Sequence, residues 1–190
     1  TISRRGKYLQ FHLDNGDQWI SHLGMSGYFY CANTEASRKK HDHVSFHFQD
    51  FILRYNDTRR FGSMFFLAQG QTLPLLENLG VEPLSESWNK DTLWSACQNK
   101  NKPIKQIIMD AKIVVGIGNI YANESLFHAK IHPQTAGKKL SSKQCASLVQ
   151  QSRQILKKAI DQGGTTLKDF QHSNGKPGYF TQSLQVYGRE

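Results

Sequence analysis

The chain of 190 residues is 38% hydrophobic and 11% aromatic, which excludes a wholly disordered protein and allows one large or two small folded domains. Its formal net charge of +9 favours a polyanionic partner, most simply nucleic acid, although a basic surface that serves solubility would carry the same charge. Three isolated cysteines indicate a reducing compartment and no zinc site within the chain, and no apolar run is long enough to span a membrane, so we expect a cytoplasmic protein.

The first 68 residues alternate between short apolar segments and polar turns, a pattern typical of β-strands. Asn15-Gly16 is a hairpin signal, and the alternation of apolar and polar residues in His43–Phe48 is that of a half-buried antiparallel strand. The predicted strands are Lys7–Leu13, Trp19–Leu23, Tyr28–Cys31, His43–Phe48, Phe51–Tyr55 and Ser63–Leu67.

A basic run, Arg4-Arg5-Gly6-Lys7, lies at the start of the first predicted strand. The like charge of two arginines favours the neutral form of Lys7, and such a lysine can act as a proton donor or shuttle. A solvated basic edge is the alternative interpretation, and it is the commoner one for an isolated run.

The turn His22-Leu-Gly-Met25-Ser-Gly27 frames a methionine between two glycines. Nucleic-acid enzymes use exposed apolar side chains of this kind as wedges that fill the space left by an unstacked base. Taken alone, the turn favours the simpler interpretation, a hairpin whose Met25 packs into the core.

Two polar clusters of the same half suggest contacts to a nucleic acid. Arg59, Arg60 and Phe61 follow a predicted strand, where a guanidinium can bind a phosphate and a ring can stack on a base. The second cluster lies upstream, at Lys39–His43, where His41 is interpreted as a phosphate or sugar contact and Asp42 as its orienting partner. A structural ion pair is the alternative for this second cluster, and its histidines lack the spacing of a metal site.

Beyond residue 80 the chain is more basic and its pattern is helical. Residues 81–190 carry fifteen Lys and Arg against eight Asp and Glu, whereas residues 1–80 carry nine against seven. We interpret Leu79–Leu84 as a linker, which predicts domains at residues 1–80 and 81–190. Ser141 and Gln144 form a capping box at the start of a long amphipathic helix, which Gly163-Gly164 ends. A long loop to Tyr179 and a short strand over residues 180–187 complete the prediction.

The most informative stretch is Gly116-Ile-Gly-Asn119-Ile-Tyr121-Ala-Asn-Glu124. Asn119 is a candidate helix cap, and Ala122–Ala129 is predicted to be helical. Amide groups and an Asn side chain at a helix N-terminus make an anion site. An ordinary turn between packed helices is the alternative. The surroundings favour the anion site, because eight lysines and only two acidic residues lie between residues 99 and 143.

These motifs occur in one order along essentially the whole chain, and the series closely resembles the bacterial formamidopyrimidine-DNA glycosylases. The two motifs His22–Gly27 and Lys40–His43 resemble this branch rather than the related endonuclease VIII branch, which acts mainly on oxidised pyrimidines. The matching segments are Arg5–Tyr8, His22–Gly27, Lys40–Val44, Asp57–Gly62, Lys102–Lys105, Gly116–Ala122, Gly163–Phe170, Gly175–Phe180 and Val186–Arg189.

The resemblance implies an α+β fold, in which an N-terminal antiparallel β-sandwich is followed by a helical domain with a helix-two-turns-helix motif and damaged double-stranded DNA lies between them. It implies that Lys7 donates a proton in β-elimination and that Lys105 is directed at the lesion phosphate. Further implied DNA contacts are His41, Arg59, Lys100, Gly118, Asn119 and Tyr121, with Met25, Arg60 and Phe61 filling the void left by an everted base. A loop over Thr165–Tyr179, which includes Lys168, is implied to close over that base.

The chain also departs from the family pattern. The family's nucleophile is an N-terminal proline followed by a glutamate, whereas this sequence begins Thr1-Ile2-Ser3-Arg4, and the family's four-cysteine zinc finger has no counterpart before Glu190. Thr58 replaces a proline common in the family. We therefore expect an inactive piece of a longer, monomeric bacterial glycosylase and lyase for oxidised purines, with one structural zinc in the parent and no cofactor in this chain.

Three other functions remain open on the sequence. A non-catalytic protein that binds damaged DNA, an oxidised-pyrimidine glycosylase and, less well supported, an RNA-binding factor with a similar helical turn each fit some of the motifs.

Overall fold

The computed structural model describes residues 1–165 and 180–188, which divide into two compact units. A strand-rich unit combines residues 1–4 and 8–71 with the described part of 162–182. A helical unit combines residues 5–7 and 72–161 with the residues described from 183 onward. The predicted domains at 1–80 and 81–190 follow chain order, whereas each unit of the structure joins segments that are distant in sequence.

The strand-rich unit contains seven strands, and the six predicted ones are confirmed to within one residue at each end. The additional strand, β1, is largely exposed and carries the sequence Ile-Ser-Arg-Arg, which lacks the apolar alternation that would have predicted it. The strands are β1 Ile2–Arg5, β2 Tyr8–His12, β3 Gln18–His22, β4 Tyr28–Ala32, β5 Asp42–His47, β6 Ile52–Asn56 and β7 Ser63–Leu67.

Two antiparallel sheets, of order β1-β2-β3-β7 and β4-β6-β5, pack face to face through aromatic rings. The Trp19 ring of β3 stacks on Phe46 of β5 with ring centroids 3.7 Å apart. It also stacks on Phe11 of β2 at 3.9 Å. Phe29 of β4 meets both Phe11 and Trp19 edge to face. This ring cluster is the core of a β-sandwich, as predicted.

The helical unit is built around a long helix, α5 (Ser142–Asp161), whose buried face packs against α2 and α4. The predicted capping box is confirmed: the Gln144 N–H donates to Ser141 Oγ at 3.2 Å, and the Ser141 N–H donates to Gln144 Oε1 at 2.9 Å. The helix ends before Gly163 and Gly164, as predicted, and both have positive φ. The other helices of this unit are α1 Pro74–Glu77, α2 Lys90–Cys97, α3 Ile104–Ile108 and α4 Asn119–His128, with a short 3-10 helix at Gly137–Lys139. A second 3-10 helix, Phe180–Ser183, begins in the part of the chain assigned to the strand-rich unit.

Three sequence predictions in this half are corrected. The cap of α4 is Gly118 rather than Asn119, because Gly118 has the extended backbone of a cap and Asn119 is already helical. The strand predicted over residues 180–187 is wrong: the chain forms a 3-10 turn there that buries Phe180 and Leu184, which are four residues apart. Leu79–Leu84 is an integral part of the helical unit, where Val81 pairs with Val114.

Within the part of the chain that the structure describes, no helix is both long enough and apolar enough to cross a bilayer. The predicted loop between Gly163 and Tyr179 lies almost entirely outside the described residues.

Candidate functional site

The turn Arg5–Lys7 belongs to the helical unit and is fixed there by Glu82. The Arg5 guanidinium donates to Glu82 Oε1 at 3.0 Å, and the Gly6 N–H donates to the same oxygen at 2.7 Å. Gly6 has φ of +57° and is buried against Val115, whose Cβ would lie 3.1 Å from any Cβ added there. The turn therefore requires glycine twice, for its backbone angle and for its close approach.

Lys7 and the start of α4 meet in this unit. A Cβ placed on Gly118 would lie 3.3 Å from the Lys7 Nζ, so the absence of a side chain at Gly118 leaves room for the ammonium. Gly118 caps α4 without a side-chain cap hydrogen bond, and the first turn contains no acidic residue. The amide groups of a helix N-terminus carry partial positive charge, and the Lys7 ammonium adds to it. The arrangement is suited to binding an anion.

Partial burial lowers the pKa of Lys7 below the usual value, although the residue as a whole remains exposed. The direction agrees with the expectation from sequence, but the cause differs. Repulsion by the neighbouring arginines was expected, whereas the Arg5 charge is paired with Glu82 and the shift comes from burial.

The other residues singled out in the helical unit lie on three elements. Asn119 is exposed in the first turn of α4, and Tyr121 is half-buried two residues further along the helix. Lys105 is half-buried in α3, and Lys100 is exposed in the loop after α2, where its N–H donates to the Cys97 carbonyl at 3.2 Å. Among the described residues, no hydrogen bond or ion pair joins Lys100 or Lys105 to Lys7.

In the strand-rich unit, the buried carboxylate of Asp57 ties two turns together. Ser26 Oγ donates to Asp57 Oδ1 at 2.5 Å, which connects the Met25 turn to the loop after β6. The Gly62 N–H donates to Oδ2 at 2.9 Å and the Arg59 N–H to Oδ1 at 3.2 Å. Because these donors come from both turns, Asp57 determines how the turns sit beside each other.

The two turns present exposed apolar side chains next to a cation. Met25 is 62% exposed and Phe61 is 57% exposed, so the interpretation that Met25 packs into the core is wrong. The Arg59 guanidinium lies over the Phe61 ring at 4.7 Å. Gly24 brings the turns into contact, because a Cβ there would lie 2.6 Å from the Phe61 carbonyl carbon. Arg60 is exposed with φ of +57°.

Asp42 does not orient His41. Its buried carboxylate accepts hydrogen bonds from the Tyr30 hydroxyl at 2.6 Å and the Asn56 amide at 2.8 Å, and it pairs with Arg54 at 3.5 Å. The structural ion pair, which was the alternative, is what the fold contains. His41 itself is half-buried in a turn with φ of +72°.

Sequence reasoning overlooked two residues near these features. Glu82 stood in a segment interpreted as a linker, and a single acid there gives no signal. His22 was noted only as part of the Met25 turn, but its Nδ1 accepts the Gly24 N–H at 3.1 Å and its ring lies 4.9 Å from that of Tyr8. Of the predicted capping loop, Thr165 is half-buried, while Lys168 and Tyr179 lie outside the described residues.

Among residues 1–165 and 180–188, no three His, Cys, Asp or Glu side chains are grouped as metal ligands. These residues therefore offer no ligand set for the zinc that the resemblance implies.

We expect the strand-rich unit to lose stability in acid through Asp57. Burial would raise the pKa of Asp57, but hydrogen bonds from Ser26, Gly62, Tyr55 and Arg59 outweigh it and lower the pKa below 3.8. This stabilisation is present above pH 3.8 and is lost as the pH falls through the lowered pKa. Asp57→Asn should lower the free energy of unfolding, measured in urea, by about 1–3 kcal/mol at pH 7. Below about pH 4, the free energy of unfolding of the variant should change less with pH than that of wild type. The same change of unfolding free energy with pH in wild type and in Asp57→Asn would contradict this expectation.

Comparisons with known proteins agree with this architecture. A formamidopyrimidine-DNA glycosylase N-terminal domain model matches residues 1–64, and the corresponding H2TH domain model matches residues 79–171. Formamidopyrimidine-DNA glycosylase of Legionella pneumophila (strain Lens) is 50% identical over 191 residues, covering 100% of this chain and 69% of the relative. The Haemophilus ducreyi protein of the same name is also 50% identical, covering 100% of this chain and 70% of that relative.

Solved structures show the same relationship. The MutM (Fpg) protein of Thermus thermophilus superposes with a TM-score of 0.90 at 34% identity, covering 100% of this chain and 71% of that one. Lactococcus lactis Fpg, solved with abasic-site DNA, gives a TM-score of 0.90 at 37% identity, covering 98% of this chain and 69% of that one. The two domain matches and the 50% identity over the full chain place this protein in the formamidopyrimidine-DNA glycosylase family.

Proposed function

We propose that this chain forms the DNA-binding and elimination site of a base-excision repair glycosylase and AP lyase that removes oxidised purines, such as 8-oxoguanine and formamidopyrimidines, from duplex DNA. The observation that carries the proposal is the Lys7 ammonium beside Gly118 at the N-terminus of α4, in a member of this family. The domains at residues 1–80 and 81–190 would then be the two DNA-binding lobes.

The anion bound at the start of α4 would be a phosphate next to the lesion, held by Asn119 and by amides from Gly118 onward. A damaged base is inaccessible inside the stacked duplex, so the nucleotide must first be everted. Once C1′ carries a Schiff base, β-elimination transfers a C2′ proton to water, forms the C2′=C3′ double bond and breaks the C3′–O3′ bond, whose electron pair leaves on the phosphate oxygen. Lys7 would donate a proton to the departing phosphate oxygen, and its lowered pKa makes it a stronger acid for that step.

The exposed side chains of Met25, Arg60 and Phe61 would fill the space left by the everted nucleotide and press on the opposite strand. The remaining contacts are proposed to be electrostatic, with affinity that falls steeply as salt rises. Residues assigned to them are His41, Arg59 and Lys100, with Lys105 directed at the lesion phosphate. Tyr121 would contact DNA from the first turns of α4, and the loop that contains Thr165, Lys168 and Tyr179 would close over the base. We propose a monomer that associates with DNA in the bacterial cytoplasm.

The assignment is tested by borohydride trapping with the full-length product of the gene that encodes this chain. Duplexes containing 8-oxoguanine should give a covalent adduct, whereas undamaged duplexes should not. A stronger adduct with thymine glycol would assign the protein to the oxidised-pyrimidine branch. Tight binding of damaged duplex without any adduct would indicate a non-catalytic binding protein and would overturn the proposed chemistry.

A further inference from the structure

One carboxylate holds the turn that carries Lys7. Glu82 Oε1 accepts two hydrogen bonds, from the Arg5 guanidinium at 3.0 Å and from the Gly6 N–H at 2.7 Å. The Glu82 side chain is 26% exposed and that of Arg5 is 31% exposed, so the contact is shielded from solvent more than a surface ion pair is. The second Arg5 nitrogen donates to the carbonyls of Leu79 and Gly80.

The segment that carries Glu82 is also bonded to the stretch that leads into α4. The Val81 N–H donates to the Ile113 carbonyl at 3.2 Å, and the Val115 N–H donates to the Val81 carbonyl at 3.0 Å. The Gly80 N–H donates to the Ala111 carbonyl at 2.7 Å. Residues 80–82 therefore contact the Lys7 turn on one side and the residues immediately before Gly116 on the other.

From this geometry we infer that Glu82 is a positioning residue that holds the Lys7 ammonium at the N-terminus of α4. Gly6 has a left-handed backbone, and the Glu82 carboxylate is the acceptor that keeps its N–H in place. The same carboxylate neutralises Arg5, so that Arg5 does not compete with Lys7 for the bound anion. The inference deepens the proposed function and rests on it for its effect on the reaction.

The test measures strand cleavage of duplex DNA with a pre-formed abasic site by the full-length protein. Glu82→Ala should slow cleavage about tenfold or more, because small displacements of a catalytic group are costly. Glu82→Gln keeps an oxygen for the Gly6 N–H but removes the charge that pairs with Arg5, and should lie between the alanine variant and wild type. Glu86→Ala, at an exposed glutamate four residues later, is the control and should cleave like wild type.

The pH dependence of the cleavage rate distinguishes a positioning role of Glu82 from a contribution to stability alone. Release of Lys7 into solvent returns its pKa toward the ordinary value, so the alkaline fall in the Glu82→Ala cleavage rate should move to higher pH. An unchanged rate and profile would overturn the inference, as would slower cleavage with an unshifted profile and a lowered Tm. If wild type itself leaves abasic DNA intact, the proposed function fails instead. Should Glu82→Ala not fold, the same profile measured on Glu82→Gln decides.

Discussion

In the full-length protein, Lys7→Ala is expected to slow strand cleavage at a pre-formed abasic site by about 10²–10⁴-fold, the range of general acid–base catalysis. The Lys7 Nζ lies beside Gly118 at the N-terminus of α4, where we propose that a phosphate binds, and partial burial lowers the pKa of Lys7, which favours loss of its proton. The variant should still bind the duplex, because the helix N-terminus is unchanged. Cleavage kinetics and fluorescence anisotropy on the same oligonucleotide measure the two effects.

The pH dependence and a charge-conserving variant sharpen this prediction. Wild-type cleavage should fall as the pH rises through the lowered pKa of Lys7, at a pH below the ordinary lysine value of 10.5. Lys7→Arg keeps the charge but holds its proton at every accessible pH, so it should bind DNA and cleave slowly. Lys158→Ala, at an exposed position in α5, is the control. Cleavage by Lys7→Ala at the wild-type rate would remove Lys7 from the mechanism.

Features set by neighbours along the chain could be predicted from the sequence. The strands follow from alternating apolar residues bounded by turn signals, and α5 follows from its capping box and apolar face. The cap of α4 was placed one residue too late and the start of its predicted helical segment, Ala122, three residues too late, because whether Gly118 or Asn119 is the cap depends on backbone angles that composition does not reveal.

Relations between distant residues could not be predicted in this way. Lys7 and Gly118 lie 111 positions apart, and no local pattern brings them together. The contacts of Glu82 with Arg5 and Gly6 could not be predicted for the same reason. Asp42 was assigned to its neighbour His41, but its buried carboxylate bonds to Tyr30 and Asn56 on other strands of the same sheet. Such partners depend on sheet order, which becomes known only from the fold.

Gly27→Ala is expected to destabilise the protein by about 3 kcal/mol or more, which corresponds to a fall in Tm of about 6–12 °C for a chain of this length. Glycine is required at position 27 because the neighbouring atoms leave no room for a side chain. A Cβ there would lie 2.2 Å from the Leu23 carbonyl oxygen and 2.4 Å from the Tyr55 hydroxyl. The first atom is backbone and the second belongs to a buried ring bonded to Asp57, so neither moves cheaply.

A second substitution identifies which contact causes the loss. Tyr55→Phe in the Gly27→Ala background removes the hydroxyl but leaves the Leu23 carbonyl, the nearer atom, so it should restore little stability. Met25→Ala, in the same turn but at an exposed side chain, should change Tm little. Near-complete recovery in the double variant would show that the Tyr55 hydroxyl, and not the backbone of the Met25 turn, excludes a side chain at Gly27.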